Sequence, residues 1–266
     1  MNEISFVKNG HSVYPLVDTH CHLDILSQMP LIEILKKSFN VGVEKIITIA
    51  TEVNNLQDVL ELSRKEEKIY CTQGIHPHNA NEWSKKAEDL IRENLSENKV
   101  IAVGEIGLDY HYEHSPQDVQ KKVFEKQLQL ATTAGLPVVI HSRNADDDMI
   151  AMLKNIPSLR GVLHSYTGGE KLAQTALNNG LYLGFNGIIT FKKASNVRRV
   201  LQDTPPERIL LETDAPFLTP EPHRGGENAC FYLPFIAERL LQIKEISAED
   251  ALPVIFNNSL ELFNLQ

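Results

Sequence analysis

The sequence predicts an α/β chain folded as a (β/α)8 TIM barrel. Three observations carry that expectation. Eight short apolar runs alternate with amphipathic stretches, as consecutive βα units require. The length of 266 residues is close to the about 250 typical of such a barrel. The first run ends in His-Cys-His and is not followed by G-x-G-x-x-G, which sets aside a doubly wound dinucleotide-binding sheet.

The apolar runs fall at 16–20, 45–50, 69–74, 100–105, 137–141, 161–164, 181–185 and 208–212. Several are nearly unbroken in Val, Ile and Leu, the pattern of strands buried on both faces. The stretches 31–39, 56–65, 87–95, 117–134, 145–154, 170–179 and 196–202 read as the intervening helices. The clearest is 117–134, where Val119, Val123, Phe124, Leu128 and Ala131 recur at helical spacing. Ser115 is expected as its N-cap and Pro116 as its first-turn proline, with Gly135 and Pro137 ending it. An apolar helix is expected at 230–242. Ser247 should cap a last helix, with Glu249 and Asp250 in its first turn and Pro253 inside or kinking it. No repeat or linker divides the chain, so 1–266 reads as one barrel domain with 1–14 as an N-terminal extension.

Composition narrows the function classes. There is no run of eighteen apolar residues, so no membrane-spanning helix is expected. The polar start lacks the apolar core of a signal peptide, and a cytoplasmic location is expected. The three cysteines, Cys21, Cys71 and Cys230, are far apart and argue against a disulfide framework. Cys21 is expected to be a small packing residue. The net charge of −9, from 26 basic and 35 acidic residues, excludes a broad basic surface for wrapping nucleic acid. It leaves room for metal ions and a few local cations to capture a phosphodiester.

The chemistry gathers at the carboxyl ends of the runs. These ends carry His20 and His22, His76 and His78, Glu105 and Asp109, His141 and Arg143, His164, and Glu212 and Asp214. Barrels build their sites at this face. Besides His78, five of the ten histidines, His20, His22, His76, His141 and His164, occupy such positions. Each would otherwise need its own buried hydrogen-bond partner. Two divalent metals explain the set more economically, with Zn²⁺ and Mn²⁺ more natural for imidazole than Mg²⁺. Glu105 is expected to bridge them, since a carboxylate can bind two ions. His20, His22 and Asp214 would complete one site, and His141 and His164 the other. Ions about 3.5–4 Å apart can share a water and clamp a phosphate oxygen.

These residues lie in blocks that resemble the TatD family of metal-dependent hydrolases, within the amidohydrolase-like TIM barrels. The blocks are DTHCHLD (18–24), GIHPH (74–78), VGEIGLDY (103–110), PVVIHSRNA (137–145), TFK (190–192), LLETDAPFLTP (210–220) and HRGGEN (223–228). The resemblance implies a nuclease-type phosphodiesterase, typically a 3′-to-5′ exonuclease or a DNase; DNA is the expected partner, as a single strand or strand end, with RNA as a further candidate. It also implies His20, His22, Glu105, His141, His164 and Asp214 as metal ligands. Two blocks depart from the usual pattern. Where members often have His-Cys-Phe-Ser-Gly, this chain has His164-Ser165-Tyr166-Thr167-Gly168, and Asn186 replaces a serine after the seventh run. Residues 1–14 lie outside the resemblance.

The remaining assignments follow from chemistry. Asp214 is expected to take the proton of the attacking water besides binding metal, with Glu105 as the second catalytic carboxylate. Glu212 stands two residues before it, and one of the pair is expected to face the site. His76, Arg143 and Arg224 are candidate substrate contacts, the arginines because a guanidinium matches phosphate oxygens with paired donors. Lys192 is a weaker candidate, and His78 reads as structural. Asp109 is expected to orient a neighbour, and Tyr110 and Tyr166 are candidate base-stacking residues. The competing function is an amide or ester hydrolase, including aminoacyl-tRNA deacylation, because the same activated water serves carbonyl chemistry.

Overall fold

The computed structural model describes residues 4–265. Its centre is a nearly closed barrel of eight parallel strands in sequential order. They are β1 (Leu16–Cys21), β2 (Val43–Thr48), β3 (Ile69–Gln73), β4 (Val100–Asp109), β5 (Val138–Arg143), β6 (Gly161–Leu163), β7 (Tyr182–Phe185) and β8 (Ile209–Leu211). The helices α1 (Leu31–Asn40), α2 (Leu56–Lys65), α3 (Lys85–Asn94), α4 (Gln117–Ala134), α5 (Asp146–Lys154), α6 (Glu170–Asn178), α7 (Ser195–Asp203) and α8 (Leu233–Lys244) follow the strands in turn, and α9 (Ala248–Phe263) ends the fold. None is long and apolar enough to cross a membrane.

Period-two alternation sorts the strand side chains. Val17, Ile47, Ile101, Val139, Val162, Tyr182 and Leu210 form one buried cluster, joined by Leu262, Phe263 and Leu265 from the end of the chain. Val139, Val162 and Leu210 each stand two residues before a polar group of the strand ends: His141, His164 and Glu212. Apolar packing inside the barrel thus supports the polar layer above it. The opposite strand face meets helix stripes such as Val123, Phe124, Leu128 and Ala131 of α4, all buried.

Register shifts interrupt this regularity, two of them close to the strand ends that carry polar groups. In β4, Val103 pairs with Val138 and Ile106 with Ile140, so three steps along one strand match two along the next. In β1, Asp18 pairs with Ile46 and Cys21 with Thr48 in the same way. Bulges of this kind re-aim side chains at barrel rims. They lie at Gly104–Glu105 and Thr19–His20. Gly104 and Gly107 are required here: a Cβ on Gly104 would sit 2.6 Å from Val139 Cβ, and one on Gly107 2.0 Å from the His141 carbonyl oxygen. Gly107 also has φ +140°, which other residues rarely adopt.

β1 and β8 meet through a seam of few pairings. Asp18 accepts from the backbone N–H and hydroxyl of Thr213 (2.9 and 2.6 Å). Thr19 Oγ1 donates to the Leu211 carbonyl at 2.9 Å. Asp214 N donates to the His20 carbonyl (2.8 Å), and His22 N to that of Ala215 (2.7 Å). Asp18 is fully buried, and that burial raises its carboxyl pKa to about 7 despite the threonine hydrogen bonds.

Several expected details change. β4 runs to Asp109, beyond the predicted end at 105, because the apolar Ile106 and Leu108 continue the strand past the bulge. Ser115 does not cap α4. Pro116 occupies that position, while the Ser115 hydroxyl donates to the His78 carbonyl and accepts from Asn81 N. The segment expected as a helix from 230 begins as a 3-10 turn, Cys230–Tyr232, before α8. Ser247 caps α9 through Asp250 N, and Pro253 lies inside that helix. Within 1–14, a two-stranded antiparallel ribbon pairs Val7–Lys8 with His11–Ser12, and Phe6 is buried in the main core. Met1–Glu3 lie outside the described residues.

Candidate metal centre

The eight strand ends open into a cavity of about 1190 Å³. Glu105 stands at its floor, 3% exposed, and its two oxygens face different neighbours. Oε2 is 3.4 Å from His20 Nε2. Oε1 is 2.7 Å from His164 Nε2 and 2.9 Å from His141 Nδ1. On the Oε2 side, Asp214 Oδ1 lies 3.6 Å from His20 Nε2 and 3.5 Å from His22 Nε2. On the Oε1 side, His141 Nδ1 and His164 Nε2 are 3.4 Å apart. All six residues expected around the metals therefore converge, in two groups that share Glu105.

The fit to divalent ions can be judged from the donors themselves. Ligand atoms 2.0–2.1 Å from a tetrahedral ion stand roughly 3.3–3.5 Å from one another. The separations above scatter around that value. His20 is fully buried, and neither of its ring nitrogens has a hydrogen-bond partner among the described residues. A buried imidazole without partners carries a desolvation cost of about 1–3 kcal/mol, which an ion at Nε2 would offset. Imidazoles with carboxylates are the donor set of Zn²⁺ or Mn²⁺.

The buried carboxylates set the electrostatics, and they raise the pKa of His22, His141 and His164 against the cost of burial. Burial pushes the Glu105 carboxyl pKa up, but His164, His76 and His141 outweigh it and hold the group well below the usual range. Burial likewise raises that of Asp214, and His22, His20 and His164 bring it below its ordinary value. Both carboxylates are ionised at neutral pH. Burial, with His164 alongside, lowers the pKa of His20 and keeps its ring neutral, as a ligand must be.

Partners on the far side of the rings fix their orientation. His141 Nε2 is 2.9 Å from Asp109 Oδ2, leaving Nδ1 toward Glu105. Asp109 also accepts from the backbone of His111 and Tyr112. His164 Nδ1 lies 3.7 Å from Glu212 Oε1. Glu212 is fully buried and accepts from Ser165 N (2.6 Å) and Asn186 Nδ2 (3.3 Å). Both Glu212 and Asp214 thus face the barrel interior, one below the other, where only one was expected. Glu212 continues the alternation of β8 one residue past its end, while Asp214 reaches the same side from a backbone at φ +59°, which period two does not foretell. Asn186 accepts from Ile188 N while holding Ser165 and Glu212, which gives the departure from the family pattern a structural setting.

The expected substrate contacts separate. His76 Nδ1 accepts from His78 N at 3.1 Å, so the neutral ring carries its proton on Nε2, 3.4 Å from Glu105 Oε1. Burial lowers its pKa to about 4. Nε2 is then a donor, suited to a phosphate oxygen more than to a metal. Arg143 ends β5 and lines the cavity, its guanidinium 4.9 Å from the Tyr112 ring centroid. Arg224 is absent from the lining: its guanidinium rests on Phe191, 3.7 Å from the centroid. Lys192 is exposed and also outside the lining. Tyr166 is 3% exposed with its hydroxyl on the Gly169 carbonyl, so its face is not open for stacking. Tyr110 donates its hydroxyl to Asp148 and lines an adjoining pocket of about 560 Å³ that shares Ser142, Asn144 and Thr167 with the cavity. Cys21 is fully buried, as expected of a packing residue.

The family model of the TatD related DNases matches residues 17–264. An uncharacterized metal-dependent hydrolase of Bacillus subtilis, YabD, is 34% identical over 94% of this chain and 99% of its own length. The 3′-5′ ssDNA/RNA exonuclease TatD of Salmonella typhimurium is 33% identical over 78% of this chain and 83% of its own. Among solved structures, the TatD homolog YJJV of Escherichia coli superposes with a TM-score of 0.88 at 32% identity, covering 94% of this chain and 98% of that one. The chain therefore belongs to the family of TatD-related DNases, and it is a metal-dependent hydrolase.

Proposed function

We propose that the protein is a divalent-metal-dependent phosphodiesterase of nucleic acid, a deoxyribonuclease of the 3′-to-5′ exonuclease type with RNA as a second substrate. The division of Glu105 carries this reading, with one oxygen toward His20 and the other toward His141 and His164. His20, His22 and Asp214 would hold one ion with Glu105, and His141 and His164 the other. Two ions sharing a carboxylate suit an in-line displacement at phosphorus. When bound, divalent ions polarise a phosphate oxygen and acidify water near neutral pH.

The chain's own groups do the remaining work. Asp214 is ionised, lines the cavity, and accepts the proton of the attacking water. His76 Nε2–H donates to a non-bridging phosphate oxygen, and Arg143 pairs with the substrate backbone from the cavity wall. The net charge of −9 makes these local contacts, more than a long-range field, responsible for capture. The name of the Salmonella relative supports the nuclease class.

The test is to incubate the purified protein with Mg²⁺, Mn²⁺ or Zn²⁺ and oligonucleotides labelled at the 5′ end. A ladder shortening stepwise from the 3′ end, absent with chelator, is the expected result. Cleavage of neutral amide or ester substrates with intact oligonucleotides would overturn the reading in favour of carbonyl chemistry.

A further inference from the structure

Five large hydrophobic side chains are exposed among the described residues: Val13, Ile25, Ile32, Tyr112 and Phe217. Three of these, Ile25, Tyr112 and Phe217, line the one cavity above the carboxylate and histidine cluster. Isolated exposed apolar residues are ordinary, but a cluster of them in one cleft marks a binding surface. Tyr112 and Phe217 are 53% and 52% exposed. Each leaves an aromatic ring half in water.

Their placement is matched. Phe217 follows β8 and Tyr112 follows β4, four strands apart in an eight-stranded barrel and so on opposite sides of the mouth. Phe217 comes three residues after Asp214, and its N–H donates to the Asp214 carbonyl at 2.8 Å. Asn228 Nδ2 holds the Phe217 carbonyl at 2.6 Å. Tyr112 comes three residues after Asp109, and its N–H donates to Asp109 Oδ1 at 3.1 Å. Both rings therefore stand on backbone anchored to aspartates of the cavity floor, Phe217 through the main-chain carbonyl of Asp214 and Tyr112 through the carboxylate of Asp109. Phe217 meets the His22 ring edge-on at 5.9 Å, and Tyr112 the His78 ring at 5.5 Å, with Arg143 over its face.

We propose that Phe217 and Tyr112 are the base-binding residues of this cleft, each taking a nucleobase by stacking on one side of the phosphate to be cut. This rests on the nuclease reading above. A chain of net charge −9 gains little affinity from its general field, so contacts to something other than phosphate must contribute. Base faces are the apolar surface that a nucleic acid offers, and stacking on them tolerates any sequence. Arg143 and His114 already lie on the Tyr112 ring, at 4.9 and 5.7 Å from its centroid, and all three line the cavity, so a base on that side would join an existing cationic and aromatic stack.

The test compares kcat/KM for a single-stranded oligonucleotide and for the same strand with abasic residues at the nucleotides flanking the scissile bond. The intact-to-abasic ratio should fall about 5- to 150-fold in Phe217→Ala and in Tyr112→Ala, the size of one lost base stack. Phe217→Trp should keep the ratio, as should Ile32→Ser, whose side chain is exposed on α1 away from the cavity. If Phe217→Ala and Tyr112→Ala slow both substrates equally, or neither, the inference is overturned while the nuclease reading stands. If the wild-type protein cuts neither strand with any divalent ion, the nuclease reading fails and takes the inference with it.

Discussion

The two sides of the candidate metal centre are built differently. On the β5–β6 side, carboxylates stand behind the rings, with Asp109 at 2.9 Å from His141 and Glu212 at 3.7 Å from His164. On the β1–β8 side, the barrel seam does the positioning. His20 and Asp214 are joined through backbone, Asp214 N to the His20 carbonyl, and the Asp18–Thr213 pair locks the two strands below them. The His20 ring has no hydrogen bond among the described residues and lies stacked on His164 at 3.8 Å. One side is therefore orientated by side-chain chemistry, the other by the closure of the fold. The first should fail as lost metal affinity, the second as lost stability.

Glu105 serves both sides, so its removal has the largest expected effect. Glu105→Ala should reduce hydrolysis to the level of chelator-treated protein. It should also abolish the rise in melting temperature that Mn²⁺ or Zn²⁺ gives the native protein, since only binding to the folded state stabilises it. Unfolding should stay cooperative, because the apolar interior beneath the site is untouched. A thermal shift that persists in this variant breaks the shared-carboxylate assignment.

The next pair of variants separates the two sides. Asp109→Asn keeps the shape but weakens the hold on His141. The metal concentration for half-activity should rise about 10- to 100-fold, the usual cost of losing a partner behind a ligand. Thr213→Val leaves the buried Asp18 carboxyl without its hydroxyl donor. It should lower unfolding free energy by about 1–3 kcal/mol, with a much smaller change in metal requirement. Denaturant unfolding and metal titration on both variants check this. The same loss of stability and affinity in each would remove the distinction.

Much of this architecture is legible in the sequence, for a reason that also sets the limit. The eight runs show because strands buried on both faces are nearly continuous in Val, Ile and Leu, and His20, His141, His164 and Asp214 show because they end such runs. The bulges at Thr19–His20 and Gly104–Glu105 do not show, because register belongs to the pairing of two strands and not to either alone. Glu212 follows from alternation once β8 is placed. Asp18 opens the clearest motif in the chain, yet its role depends on Thr213, 195 residues away. Tyr112 and Phe217 sit in loops, where no periodicity reveals exposure. Tyr110 and Tyr166, the tyrosines that the motifs offer as stacking candidates with rim packing as the alternative, have hydroxyls that the fold uses internally.

The smallest expected effect concerns the two arginines, and it extends the comparison from the centre to its rim. Arg143 is fixed to the end of β5 and reaches the cavity over Tyr112, whereas Arg224 lies on Phe191 outside the lining. A charge-assisted hydrogen bond to phosphate contributes about 1.5–3 kcal/mol when shielded; a partly exposed site retains the lower end of that range because water and salt screen it. Arg143→Ala should therefore raise KM for an oligonucleotide about tenfold with kcat little changed. Arg224→Ala should raise it no more than about two- to threefold, the scale of an exposed ion pair. The Arg224 effect should vanish as salt is raised from about 0.05 to 0.5 M, where the Debye length falls below about 5 Å. An Arg224→Ala variant as impaired as Arg143→Ala at high salt would mean that the loop carrying Arg224 leaves Phe191 and closes on the bound strand.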